Sequence, residues 1–186
     1  MSDSATAAVY PYGQAPDYVY GAAQGRTMEQ NVDIITDKHS KPDVHIGIDE
    51  KDSPWIPILP SVWIKHLAFD VGHGAYANLI KVEKGGMIGR HRHRGTVEGL
   101  CLEGSWKYLE YDWVATPGSY VHETPGAIHT LYSEKGMLTY FQMVGPLEFY
   151  DDDNKLLMVH DVFYHINGYT QYCREHNIPI NPQLFQ

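Results

Sequence analysis

The sequence predicts an all-β fold, a single sandwich or small barrel with an N-terminal arm and one short C-terminal helix. Three observations carry that expectation. From Val62 onward the chain is a succession of short apolar runs, each bounded by Gly, Pro or charged turns. Seventeen Gly and eleven Pro suggest many turns between strands rather than long helices. The 186 residues, 43% of them apolar, suffice for one domain with a substantial core and no more.

Taken in chain order, residues 1–28 are rich in Ala, Gly, Gln, Pro and Tyr without helical or strand period. They read as a flexible tail suited to docking against a partner subunit. The run Trp55-Ile56-Pro57-Ile58-Leu59-Pro60 suits an arm crossing a surface, because proline cannot donate to a ladder. Strands are then expected at Val62–Phe69, Tyr76–Glu83, Val97–Leu102, Trp106–Trp113, Ser119–Glu123, Thr130–Tyr132 and Met137–Val144. Asp161–Asn177 is the one expected helix, with Phe163, Ile166, Tyr169, Thr170 and Cys173 forming an apolar stripe. Gly168 weakens it by about 1 kcal/mol relative to Ala. The expected division is a tail over 1–28 and one domain over 29–186, with a barrel core at about 60–146 and the helix at about 161–177.

A net charge of −9 argues against a nucleic-acid surface or an anionic membrane as partner. Cys101 and Cys173 show no disulfide framework or zinc spacing, and buried free thiols favour a reducing compartment. No stretch approaches the roughly 20 apolar residues of a membrane span, and no secretory signal opens the chain. A cytoplasmic protein is the expectation.

Eleven histidines are present. His39, His45, His66, His73, His160, His165 and His176 lack a partner at ligand spacing and read as solvated or structural. His91 and His93 differ, because residues two apart on an extended chain share a face while Arg92 points away. Gly85 precedes His91 by six positions and Gly104 ends the next strand. Further on, Gly118 leads to Thr124-Pro125-Gly126, and His129 follows after two residues.

These two arrangements resemble both motifs of the cupin superfamily, with Thr124 where a proline is usual and Ser133 where an asparagine often stands. The resemblance implies a jelly-roll β-barrel in which His129 joins His91 and His93 around one metal ion. Many such barrels add a glutamate from the strand after the paired histidines. Counting back from Gly104 puts Val97 in that slot and Glu98 on the opposite face, unless a bulge reverses the parity. Glu123, just before the Thr124-Pro125-Gly126 turn, would lie inside the barrel near the metal, as a base or as a hydrogen-bond partner of a ligand histidine. His122 should point outward.

The strings His91–Gly95, Leu102–Trp113, Thr116–Tyr120 and Tyr140–Pro146, with Trp55 and its proline run, are similar to the 2,4'-dihydroxyacetophenone dioxygenase family. That resemblance implies a non-haem Fe(II) enzyme with three histidine ligands. Its reaction is cleavage of the C–C bond of an aryl α-hydroxyketone by O2, giving an aryl carboxylate and formate, with Glu123 as candidate base. It also implies a homodimer or homotetramer. Two other readings stay open: a zinc-binding sensory cupin of the anti-sigma type, and a related dioxygenase acting on a β-diketone.

Overall fold

The computed structural model describes residues 43–186; the tail expected over 1–28 and the beginning of the arm lie outside the described residues. Eleven strands follow one another: β1 (Ile56–Leu59), β2 (Val62–Asp70), β3 (Ala75–Val82), β4 (Gly86–His93), β5 (Val97–Gly104), β6 (Lys107–Tyr108), β7 (Tyr120–Glu123), β8 (Ile128–Ser133), β9 (Met137–Val144), β10 (Leu147–Tyr150) and β11 (Leu156–His160). Helix α1 (Val162–Glu175) comes after them.

Two antiparallel sheets result, in the orders β1-β2-β3-β9-β5-β7 and β11-β10-β4-β8-β6. Strands far apart in sequence are neighbours, as a jelly roll requires. Between the sheets lies one apolar core that includes Ile64, Ile80, Val97 and Phe141 of the larger sheet and Tyr108 and Leu131 of the smaller. No helix among the described residues is long and apolar enough to cross a membrane. Cys101 and Cys173 are both buried and free.

Strand parity on β5 follows the count from Gly104. Val97, Gly99 and Cys101 are buried, whereas Glu98, Leu100 and Leu102 are exposed. The register with β9 shifts only between Cys101 and Glu103, so no bulge at Val97 turns Glu98 inward. Gly104 itself is obligatory. Its φ is +69° and an added Cβ would lie 2.0 Å from the Gly136 carbonyl oxygen, so any side chain would split β5 from the turn before β9.

Four expectations need correction. The proline run is an edge strand rather than an arm. Ile56 pairs with Ile64 and Pro57 with Trp63, and Pro57 is tolerated because, among the described residues, β1 has no neighbour on its other side. The strand expected over Trp106–Trp113 shrinks to Lys107–Tyr108, since the Tyr111 amide donates back to the Tyr108 carbonyl at 3.2 Å and closes a turn. Beyond position 146, β10 and β11 extend the smaller sheet. On α1 the buried residues are Val162, His165, Tyr169 and Cys173, while Phe163 is exposed. Asp161 caps this helix by accepting from the Tyr164 amide at 2.8 Å.

Candidate metal centre

His91 and His93 lie on β4 and His129 on β8, all on the inner face of the smaller sheet. His91 and His129 are direct cross-strand partners, and His93 pairs with Leu147 of β10 on the other side. Between the pairs Ile88–Leu131 and His91–His129 the ladder carries one extra residue on β4, a bulge. The bulge leaves the Gly89 carbonyl in place to accept from His91 Nδ1 at 2.7 Å, which commits that nitrogen as donor and leaves the Nε2 lone pair for a ligand.

The three rings are 3%, 6% and 3% exposed in sequence order. Their centroids stand 4.7–5.6 Å apart, and one nitrogen from each lies within 4.8 Å of the others. Burial pushes His91 down to about 3 and His93 down to about 4, so both are neutral near pH 7. His129 Nε2 is buried without a hydrogen-bond partner. Three converging imidazoles, with His91 and His93 neutral and one nitrogen unpartnered, fit a transition-metal ion such as Fe, Zn, Cu or Ni.

Glu123 stands beside them on β7, 6% exposed. Its Oε2 lies 3.2 Å from His93 Nε2 and 3.3 Å from His129 Nε2. Its Oε1 accepts a hydrogen bond of 2.5 Å from the Tyr108 hydroxyl. Burial pushes the Glu123 carboxyl up, yet the adjacent His129, His93 and Tyr108 together outweigh burial and hold it below the usual range. Glu123 is therefore a carboxylate in a nearly dry site. Val97 is its direct partner on β5, so the residue facing the centre from that strand is apolar. Glu98 is exposed and contributes nothing, and His122 is exposed as well.

Tyr108 had no place in the sequence reading. Its ring stacks on His129 at 3.7 Å and 3°, and it is fully buried beside Trp106. Burial and the neighbouring Glu123 carboxylate push its hydroxyl well above the ordinary tyrosine value, so it serves as a donor. The alternation Trp106-Lys107-Tyr108 directly after Gly104 was the available signal. On the outer face of β4, Arg92 grips Glu148 of β10 at 2.8 Å and 3.1 Å, and Arg94 adds a third bond at 2.8 Å. These bonds fix β4 against β10 from behind His91 and His93.

A cavity of about 140 Å³ reaches Glu123 and His129, with Tyr108, Tyr111, Trp113 and His122 among its walls. An adjoining cleft of about 340 Å³ shares Trp113, Val121 and His122 with it. Tyr111, Trp113 and His122 are exposed, so the cavity meets solvent along this rim.

The remaining histidines behave otherwise. His39 lies outside the described residues. His45, His73 and His176 sit apart from the centre, and His73 and His176 are exposed. His66 and His165 are buried together under α1, with centroids 5.4 Å apart, and His160 lies 5.9 Å from His165. Among the described residues, the group formed by His91, His93 and His129 is the one whose nitrogens converge.

The ChrR Cupin-like domain family matches residues 43–148 of this chain. Among solved structures, an RmlC-like cupin protein from Ralstonia eutropha JMP134 is 32% identical with a TM-score of 0.69, covering 75% of this chain and 94% of that one. A cupin-like protein of unknown function from the same organism is 23% identical with a TM-score of 0.65, covering 74% and 90%. An acetylacetone dioxygenase from Acinetobacter johnsonii shares the fold at 17% identity and a TM-score of 0.64, covering 71% and 94%. No curated protein sequence matches.

Proposed function

The chain belongs to the ChrR cupin-like domain family, and from that premise we propose that it is a non-haem iron dioxygenase cleaving the C–C bond of an aryl α-hydroxyketone. The observation that carries this reading is the carboxylate of Glu123 set 3.2–3.3 Å from two of three converging, buried imidazole nitrogens. A structural metal site needs its ligands and their supports alone. A charged carboxylate aimed at the same point, with a cavity leading to it, is the equipment of proton transfer.

His91, His93 and His129 would hold the ion. Fe(II) held there would supply Lewis acidity toward a ketone and hydroxyl and the redox capacity for chemistry with O2. Three neutral ligands leave the ion's charge uncompensated by its direct ligands, which favours a substrate that becomes anionic on binding. Glu123 Oε2 then takes the proton from the hydroxyketone, while the Tyr108 hydroxyl occupies Oε1 and keeps the carboxylate turned toward the substrate. Val97 and the ring of Tyr108 keep water from the reacting atoms. The resemblance of Leu102–Trp113 and Thr116–Tyr120 to 2,4'-dihydroxyacetophenone dioxygenases supports the aryl hydroxyketone as substrate class. A β-diketone is the second reading, favoured by the shared fold of the acetylacetone dioxygenase.

Metal analysis with oxygen-electrode and formate assays tests the proposal. Iron near one per chain, O2 uptake and formate release from a 2-hydroxyacetophenone are expected. Uptake with β-diketones alone would transfer the assignment to the second reading. Zinc retention without O2 uptake on either class would overturn both and leave the zinc-holding sensory cupin.

A further inference from the structure

The rim of the inner cavity carries an aromatic surface that the chemistry at Glu123 does not use. Trp113 is 39% exposed and Tyr111 42%, and their rings are stacked at 5.8 Å with an angle of 14°. Behind them, Trp106 and Tyr108 are 1% and 2% exposed. Both meet Trp113 edge to face, at 5.6 Å and 79° for Trp106 and 5.7 Å and 78° for Tyr108. Trp113 is thus an exposed ring whose orientation is set by two buried ones.

Three features separate this surface from ordinary packing. It lines the cavity that also contains Glu123 and His129, and it continues into the adjoining cleft. Its polar counterpart is at the inner end, where Tyr108, Glu123 and His129 meet, so the cavity is polar at the bottom and aromatic at the mouth. Its ordering needs no ligand, because the edge-to-face contacts already fix the indole, and a preformed surface loses little entropy on binding. A flat apolar group joined to a small polar head matches that gradient.

We propose that Trp113, backed by Tyr111, is the aryl-binding shelf of this centre and the residue that selects an aromatic over a saturated substituent on the ketone. The inference rests on reading the centre as a ketone-binding site and deepens it by naming the part that reads the ring. Tyr108 and Trp106 are positioning residues for the shelf.

The test is calorimetric titration of the zinc-loaded full-length chain with acetophenone and with cyclohexyl methyl ketone, which differ in having a flat or a saturated ring. The unaltered chain should bind acetophenone about tenfold more tightly, as one aromatic contact allows. Trp113→Leu should erase that preference and Trp113→Phe should keep most of it, with circular dichroism confirming that each variant is folded. Tyr111→Leu, which removes the backing ring, should reduce the preference and serves if Trp113→Leu does not fold. Equal binding of both ketones by the unaltered chain, or a preference that survives Trp113→Leu, overturns the shelf. The zinc-loaded protein runs no oxygen chemistry. An aryl preference there, together with an iron-loaded protein that consumes no O2, would sustain the shelf and sink the dioxygenase.

Discussion

Among the described residues, two histidine clusters, one fully buried and one including the half-buried His160, differ in what surrounds them. His91, His93 and His129 have centroids 4.7–5.6 Å apart; in the cluster under α1, His66 and His165 stand 5.4 Å apart and His160 5.9 Å from His165. Burial first and neighbouring imidazoles second lower His91 to about 3 and His165 to about 3, with His66 also well below its ordinary value. Crowding and neutrality therefore do not distinguish a metal centre. The first cluster lies on one face of two adjacent strands, His91 and His129 directly paired and His93 two residues along β4, so register makes its nitrogens converge. The second is spread over β2, β11 and α1, where His66 meets Tyr169 edge-on and His165 lies tilted against Tyr76. Only the first has a buried carboxylate within 3.3 Å of its nitrogens. Convergence and a neighbouring carboxylate set the first cluster apart, and burial does not.

The largest expected effect separates the clusters outright. His129→Ala should reduce bound iron from about one per chain to nearly none, whereas His165→Phe should leave metal content unchanged, as read by elemental analysis after dialysis. Iron lost equally from both would erase the contrast. A second, smaller effect lies within the first cluster. Glu123→Gln should retain iron and slow turnover at least about 100-fold, the low end for a general base. Tyr108→Phe keeps the stacked ring but removes the hydrogen bond to a charged oxygen, and should slow turnover about tenfold. If Glu123→Gln also loses the iron, the carboxylate is a ligand and not the base.

The smallest effect is on stability toward acid. His165 faces His66, His160 and Tyr76, with Asp161 at the start of α1. Its folded value of about 3 lies below the model-peptide value near 6.5, so the unfolded chain binds the extra proton first. Stability from the neutral ring is complete above about 6.5 and drains away as pH falls toward about 3. His165→Phe should flatten the denaturation-midpoint profile across that window by up to one proton's worth of slope, and leave it unchanged above pH 7. A mutant profile parallel to that of the unaltered chain would mean that His165 is not neutral in the fold.

The readable part of this molecule was whatever local spacing controls. His91, His93 and His129 were legible because strand period and turn glycines fix their faces, and Val97 because parity carries back from Gly104. Glu123 was legible in position, though its hydrogen bond to Tyr108 was not. Tyr108 sits in a run that looks like one long strand, and the turn after it is stabilised by the aromatic stack it joins, a tertiary cause. The second histidine cluster was illegible for the same reason, since α1 turns Val162 and His165 inward and leaves Phe163 outside. β1 was concealed by Pro57, whose exclusion from ladders does not apply at an edge.

Val97 and Glu123 sit directly opposite each other on β5 and β7. The strand slot in which the cupin resemblance looks for a glutamate holds Val97, and the neighbouring strand carries Glu123. Two carboxylates on facing positions of one pair would repel, so the barrel wall has a single seat for negative charge and two addresses for it. Val97→Glu alone would crowd that seat; paired with Glu123→Val it would exchange the addresses, moving the charge across one interstrand gap. A reciprocal swap of the two side chains would therefore move the carboxylate from one strand to its neighbour without changing the register of the pair.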